Sequence, residues 1–226
     1  MTAEDAVLDR RATPHGEVAL RRVGPHWEII VNGVSCMSTA WGGRSEARLV
    51  AATLTASGRG RRVLLGGLGL GCSLRAALAV PTVAEVVVVE REPAVVDWHR
   101  GLLRELSEAA LDDTRVQVVV ADLVDLVAAG RVAGAFDAVC VDVDNGPHRT
   151  VSPRNRWLYG REGVDRLAAL LAGDGALGVW SAHPAPDLAA VLATRFARVH
   201  SELVPVPRGQ PDLVLVGSQR RRGVAG

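Results

Sequence analysis

Two acids, an amide and a histidine fall within seven residues in Asp142-Val143-Asp144-Asn145-Gly146-Pro147-His148, at the end of the apolar run Ala138 to Val143. If that run continues as a strand, Asp142 and Asp144 share a face. Carboxylates there could sit beside a cation or take a proton from an amine nucleophile. An Asx turn ahead of Gly146-Pro147 is the plainer role for the same residues. A second group lies upstream, where Gly67, Gly69 and Gly71 follow the run Arg62 to Leu65. Glycines so placed let the backbone turn tightly against a ligand, and a helix opening there favours negative charge. The dinucleotide fingerprint would need a glycine where Cys72 stands. Glu90, 19 residues after Gly71, ends the next run, a place from which an acid can accept both ribose hydroxyls. Asp122 ends the run after that. It can accept from an adenine amino group while the Leu123 backbone N–H reads a ring nitrogen, and it can cap the following helix.

Ligands of open α/β sheets bind at the carboxyl ends of the strands, so these residues need a parallel sheet to bring them together. Strands are predicted at Arg62 to Leu65, Val83 to Val89, Val116 to Val120, Ala138 to Val143 and Ala176 to Trp180. Helices are predicted between them at Leu70 to Val80, Pro93 to Leu106, Leu123 to Ala129 and Arg161 to Leu171. Short apolar strands alternating with helices imply a parallel sheet covered on both faces. Phe196 to Leu203 and Leu213 to Val216 flank three prolines and predict a closing antiparallel hairpin. Before the sheet, Arg44 to Ser57 carries a helical face of Ala47, Val50, Ala51 and Leu54. Earlier still, Glu17 to Val23, Trp27 to Val31 and Val34 to Met37 read as three antiparallel strands. Asn32-Gly33 is a strong hairpin signal among them. Residues 1 to 16 read as a loose leader. The expected division is a β-hairpin region over residues 1–43 and a ligand-binding catalytic domain over 44–226.

Composition removes several alternatives. All 26 basic residues are arginine, which excludes Schiff-base chemistry and the P-loop lysine. Cys36, Cys72 and Cys140 are scattered and odd in number, so neither a metal site nor a disulfide framework is expected. Cys140 reads as core. A net charge of +1 gives no general attraction to nucleic acid. No apolar run reaches the ~20 residues of a membrane span, and Met1 to Arg11 lacks a signal-peptide core, so a cytoplasmic protein is expected. Arg220 to Arg222 read as a solvated basic tail.

The spacing Gly67-x-Gly69-x-Gly71 is the short form associated with S-adenosylmethionine enzymes. With Asn32-Gly33-Val34, Glu90, Asp122, the Val141-to-Pro147 loop and Leu158-Tyr159, the span from Glu17 to about Ala182 resembles the spermidine synthase-like family of polyamine aminopropyltransferases. The resemblance implies an α/β, Rossmann-like class I methyltransferase fold with a seven-stranded, mostly parallel sheet. It also implies an adenosyl sulfonium cosubstrate: Glu90 on the ribose, Asp122 and Leu123 at the adenine, Asp142 on the reacting tail. Asn145 and Tyr159 would face the acceptor, and Asp142, Asp144 or His148 would take its proton. The family's N-terminal strands pack between subunits over the substrate entrance, so a homodimer is expected.

The sequence departs from the family at three places. Gly69 replaces an Asp that holds the cosubstrate's amine, Asn145 stands where a second acid engages the attacking amine, and Ser45-Glu46-Ala47 replaces Tyr-His-Glu. An uncharged glycine loop would suit the carboxylate of intact S-adenosylmethionine. The reading that follows is a methyltransferase acting on a small molecule; amino-carboxypropyl transfer or cosubstrate cyclisation would use the same pocket. The alternative is an aminopropyltransferase using decarboxylated S-adenosylmethionine, with Asp144 or Glu46 replacing the missing acids. A non-catalytic adenosyl-binding protein is the third.

Overall fold

The computed structural model describes residues 5–132, 134–207 and 209–221, without the side chains of Ser35 and Cys36. Four strands come first: β1 (Ala6–Thr13), β2 (Gly16–Val23), β3 (His26–Val31) and β4 (Val34–Ser38), paired antiparallel in that order. Asn32 and Gly33 both take positive φ between β3 and β4, the geometry that a two-residue hairpin turn demands. Of the leader expected over residues 1 to 16, residues 1–4 lie outside the described residues, and Ala6–Thr13 is strand instead. β1 pairs with β2 along its length, with a bulge between Val7 and Asp9.

Helix α1 (Arg44–Ser57) leads into the main sheet. Its strands are β5 (Arg62–Gly66), β6 (Glu85–Glu90), β7 (Val116–Val120), β8 (Phe136–Val141), β9 (Leu171–Ser181), β10 (Phe196–Val204) and β11 (Asp212–Arg220). The order across the sheet is β10-β11-β9-β8-β5-β6-β7. β5 to β9 run parallel, while β11 is antiparallel to both β9 and β10. The predicted closing hairpin is therefore β10–β11.

Alternation along the strands builds two cores. Val63, Leu65, Val86, Val88, Ala138 and Cys140 face α1, α2 (Cys72–Leu78) and α3 (Pro93–Arg100). Leu64, Val87, Val89, Val139 and Val141 face α4 (Leu123–Ala128), α6 (Arg161–Ala169) and α7 (Pro186–Arg195), with the one-turn α5 (Arg156–Tyr159) alongside. Each fully buried Val or Leu contributes about 1.5–3 kcal/mol, and a one-residue slip would exchange the two faces, so register is strongly fixed. Val18, Leu20 and Ile29 of the N-terminal sheet join the same core as Leu68, Leu70, Val95 and Trp98.

Some boundaries differ from expectation. α3 stops at Arg100 because Gly101 leaves helical geometry, and turns carry the chain onward. α7 was not anticipated. β8 ends at Val141, so Asp142 and Asp144 lie in the loop beyond it. The basic tail is partly tied down: Arg220 donates to the Ala168 carbonyl, and Arg221 to those of Ala193 and Phe196. Arg222 lies outside the described residues. No helix among the described residues is long and apolar enough to cross a membrane.

Candidate active site

β5, β6, β7 and β8 end together at one edge of the sheet, and a cleft opens there beneath the N-terminal strands. Its floor includes Gly67, Gly69, Glu90, Glu92, Asp122 and Leu123; its roof is Val18, Ile29, Val31 and Met37. Gly67, Gly69 and Gly71 all have positive φ, and a side chain at any of the three would press on a neighbour, His99 in the case of Gly71. A Cβ on Gly67 would strike the Asp142 carbonyl, and one on Gly69 would strike the Met37 thioether. Gly71 caps α2 and does not line the cleft.

Glu90 is buried and tethers the glycine loop. One carboxylate oxygen accepts the Leu68 N–H at 2.9 Å, the other the Glu92 N–H at 2.8 Å. Burial pushes its pKa up. Asp122 caps α4 by accepting the Val124 N–H at 2.8 Å while lining the cleft, so both of its sequence-derived roles are compatible. Glu92 is the residue that the sequence reading missed. It is 5% exposed, holds Arg91 Nε at 3.0 Å through Oε1, and leaves Oε2 buried with no partner among the described residues. An orphaned acceptor in a cleft that already offers Glu90 and Asp122 fits a ligand bearing hydroxyl and amino donors, as adenosine does.

A second cavity of about 340 Å³ adjoins the first and shares Met37, Asp142, Val143 and Val151 with it. Four carboxylates line it: Glu46, Asp142, Asp144 and Asp212, with Trp41, Trp180, Arg149 and His183 completing the wall. None of the four acids is ion-paired to a described base. Asp142 accepts from Ser73 Oγ at 3.2 Å. Burial, then the nearby Glu46 charge, pushes its pKa up to about 8. Asp144 accepts from Val151 N at 2.5 Å, Asn155 Nδ2 at 2.9 Å and Tyr159 Oη at 2.8 Å. Burial raises its pKa against those three bonds. Ser45 Oγ lies 2.6 Å from Asp212 and 3.0 Å from Glu46. A hydroxyl carries one proton, so it can donate to only one of two ionised acids. The arrangement is complete when a proton or a cation joins it.

The sequence-derived candidates sort accordingly. Gly67, Gly69, Glu90, Asp122, Leu123 and Asp142 meet in the first cleft, and Asp142, Asp144 and Asn145 in the second. Tyr159, expected at the acceptor, is buried and acts through Asp144 instead, lining neither cavity. His148 is exposed in a separate hollow with Pro147, Arg156 and Asp187. The turn at Gly146, packed on Ser181, carries it out of the cleft. Asp212 was invisible to spacing because it lies 167 residues from its partner Ser45. Among the described residues no group of three His, Cys, Asp or Glu could hold a metal ion.

The spermine/spermidine synthase domain model matches residues 45–195. A polyamine aminopropyltransferase of Mycobacterium tuberculosis is 31% identical over 183 residues, covering 80% of this chain and 34% of that protein. One from Hyperthermus butylicus is 32% identical over 130 residues, covering 57% of this chain and 44% of that protein. The chain thus spans a third to under a half of the length of these relatives. The crystal structure of spermidine synthase from Thermotoga maritima superposes with TM-score 0.77 at 17% identity, covering 94% of this chain and 72% of that one. A spermidine synthase in complex with the transition-state analogue AdoDATO superposes at 0.76, with the same identity and coverage. The expected Rossmann-like class I methyltransferase fold is the fold observed, and the chain belongs to the spermine/spermidine synthase family.

Proposed function

We propose that this chain transfers the aminopropyl group of decarboxylated S-adenosylmethionine to an amine acceptor. The observation that carries this reading is the cavity of four unpaired carboxylates beside the nucleoside cleft. Ammonium groups are the natural guests of such a cavity, and a cationic sulfonium would sit at its border. The methyltransferase reading rested on an uncharged glycine loop receiving a carboxylate tail. Glu46 and Asp142 line a small hollow over that loop together with Met37 and Ser73, and a carboxylate placed there would face Glu46 and an Asp142 that already resists ionisation. The decarboxylated tail, with its ammonium, is the better match. The names of the similar proteins point the same way.

In the reaction the acceptor nitrogen's lone pair attacks the methylene next to sulfur. The carbon–sulfur bond breaks, its electrons stay on sulfur as the thioether of methylthioadenosine, and the nitrogen sheds a proton. An acid held near 8 is matched to that proton. Asp142 borders both cavities and is proposed as its acceptor, with Asp144 orienting the amine. Calorimetry with S-adenosylmethionine, its decarboxylated form and methylthioadenosine tests the reading. Tighter binding of the decarboxylated form is expected. Preference for the intact form returns the methyltransferase reading, and binding of none leaves a non-catalytic protein.

Glu90→Ala should weaken methylthioadenosine binding by about 1–3 kcal/mol, because a buried acceptor for ligand hydroxyls is lost. Unchanged affinity in a folded variant removes Glu90 from ligand contact. We also propose that the chain pairs as a homodimer through its N-terminal sheet, where Val7 and Leu8 are exposed. Deleting residues 1 to 40 should release monomer or cause aggregation and impair turnover. A monomeric full-length chain in light scattering refutes the dimer.

A further inference from the structure

We infer that Trp98 and His99, consecutive on α3, are positioning residues that hold the roof and the floor of the nucleoside cleft at a fixed separation. This rests on the cleft being the adenosyl site. His99 is 1% exposed, and its Nε2 lies 2.8 Å from the Gly69 carbonyl oxygen. A carbonyl only accepts, so Nε2 carries the hydrogen and the ring is the Nε2–H tautomer. Nδ1 is buried with no partner among the described residues. A proton added there would find no acceptor, and burial lowers the pKa, so the imidazole stays neutral.

The ring lies flush against the loop: a Cβ on Gly71 would come within 2.8 Å of His99 Cε1. Glu90 meanwhile takes the N–H of Leu68. Neighbouring residues of one tight glycine turn are therefore held by two side chains, one from the end of β6 and one from α3. Glycine is permissive in φ and does not hold such a turn by itself; external bonds must.

Successive helical residues point about 100° apart, so Trp98 leaves α3 in another direction and meets the roof. It is 1% exposed, and its Nε1 donates to Asp9 Oδ2 at 2.7 Å. Asp9 follows the bulge in β1, a device that re-aims a side chain off a regular strand. Arg11 supports the contact, donating to Asp9 at 2.9 Å and pairing with Asp97 at 2.7 Å. β1 belongs to the sheet that supplies Val18, Ile29, Val31 and Met37 to the cleft. One dipeptide thus binds both walls.

The test uses the full chain with three variants, and methylthioadenosine as the probe in calorimetry. His99→Phe keeps a buried ring but loses the donor; Asp9→Ala frees the roof from Trp98 at an accessible strand. Each is expected to weaken binding about five- to tenfold, as loss of one buried hydrogen bond would. His99→Gln, which retains an N–H, should recover most of the His99→Phe loss. Folded variants that bind like the parent protein, or a loss that Gln does not repair, overturn the inference. Nitrogen-15 NMR of the histidines supplies a second readout, independent of ligand. An Nε2–H ring that stays neutral at pH values where an ordinary imidazole is protonated supports the assignment. The opposite tautomer, or titration at the ordinary value, overturns it. A parent protein that binds no adenosyl probe would instead refute the reading of the cleft itself.

Discussion

Asp142→Asn is expected to slow methylthioadenosine formation by about a hundred- to a thousandfold, the size of a lost general base, and to weaken cosubstrate binding by much less, since Glu46 still faces the tail. Asn keeps the shape and the contact with Ser73 but cannot take a proton. The same change should alter stability in the opposite direction. Burial, then the nearby Glu46 charge, pushes the Asp142 carboxyl in the folded chain up to about 8 from an ordinary 3.8. Between those values the folded protein holds a proton that the unfolded chain has released. Stability therefore falls as pH rises through this window, and the penalty is complete above the folded value. Asn is exempt. Thermal scans at about pH 5 and about pH 9 should show a smaller loss of Tm in Asp142→Asn than in the parent protein. Equal losses of affinity and turnover would reduce Asp142 to a binding residue, and parallel Tm profiles would refute its raised pKa.

Gly69→Asp, which restores the family's loop acid, is expected to weaken adenosyl binding by about tenfold or more rather than improve it. Backbone geometry is not the obstacle, since φ at Gly69 is 49° and Asp is among the residues that tolerate that region. The obstacle is Met37, whose Sδ and Cε occupy the volume a Cβ needs; this flexible tip borders both cavities and would have to swing into one of them, taking space from the ligand. A further carboxylate next to Glu46 and Asp142 adds repulsion. Pairing the change with Met37→Ala removes the overlap. The double variant should regain binding and prefer the decarboxylated cosubstrate more strongly than the parent protein does. A single variant that binds as well as the parent would show that Met37 yields freely.

These expectations rest on contacts that sequence reveals unevenly. α1 was legible to the residue, because an apolar face repeats between two glycine-rich breaks. The parallel strands were legible because continuous Val and Leu runs have few other uses. β1 escaped because Asp9, Arg10 and Arg11 interrupt its apolar character. In the site, glycine spacing and strand-end acids marked the nucleoside cleft, since each follows its own strand at a predictable offset. Glu92 was passed over beside Glu90, and only burial distinguishes it. Glu46 and Asp212 acquire meaning through Ser45, from opposite ends of the chain, and no local pattern announces such a meeting. His99 resembled any polar residue on an amphipathic helix until its partner was seen to be a backbone carbonyl.

The two cavities also differ in how their walls are encoded. The nucleoside floor comes from residues 67–123, three successive strand ends of one continuous stretch. The acidic cavity is assembled from α1, the loop after β8, the loop after β9 and the start of β11. If the acidic cavity seats the acceptor as proposed, substitutions at Arg149, His183 or Asp212 would recut that seat at positions that line neither the glycine-loop hollow nor the first cleft. On the proposed reading such a chain is evolvable on one side and constrained on the other: inheritance of a donor half would leave an acceptor half free to drift toward new amines.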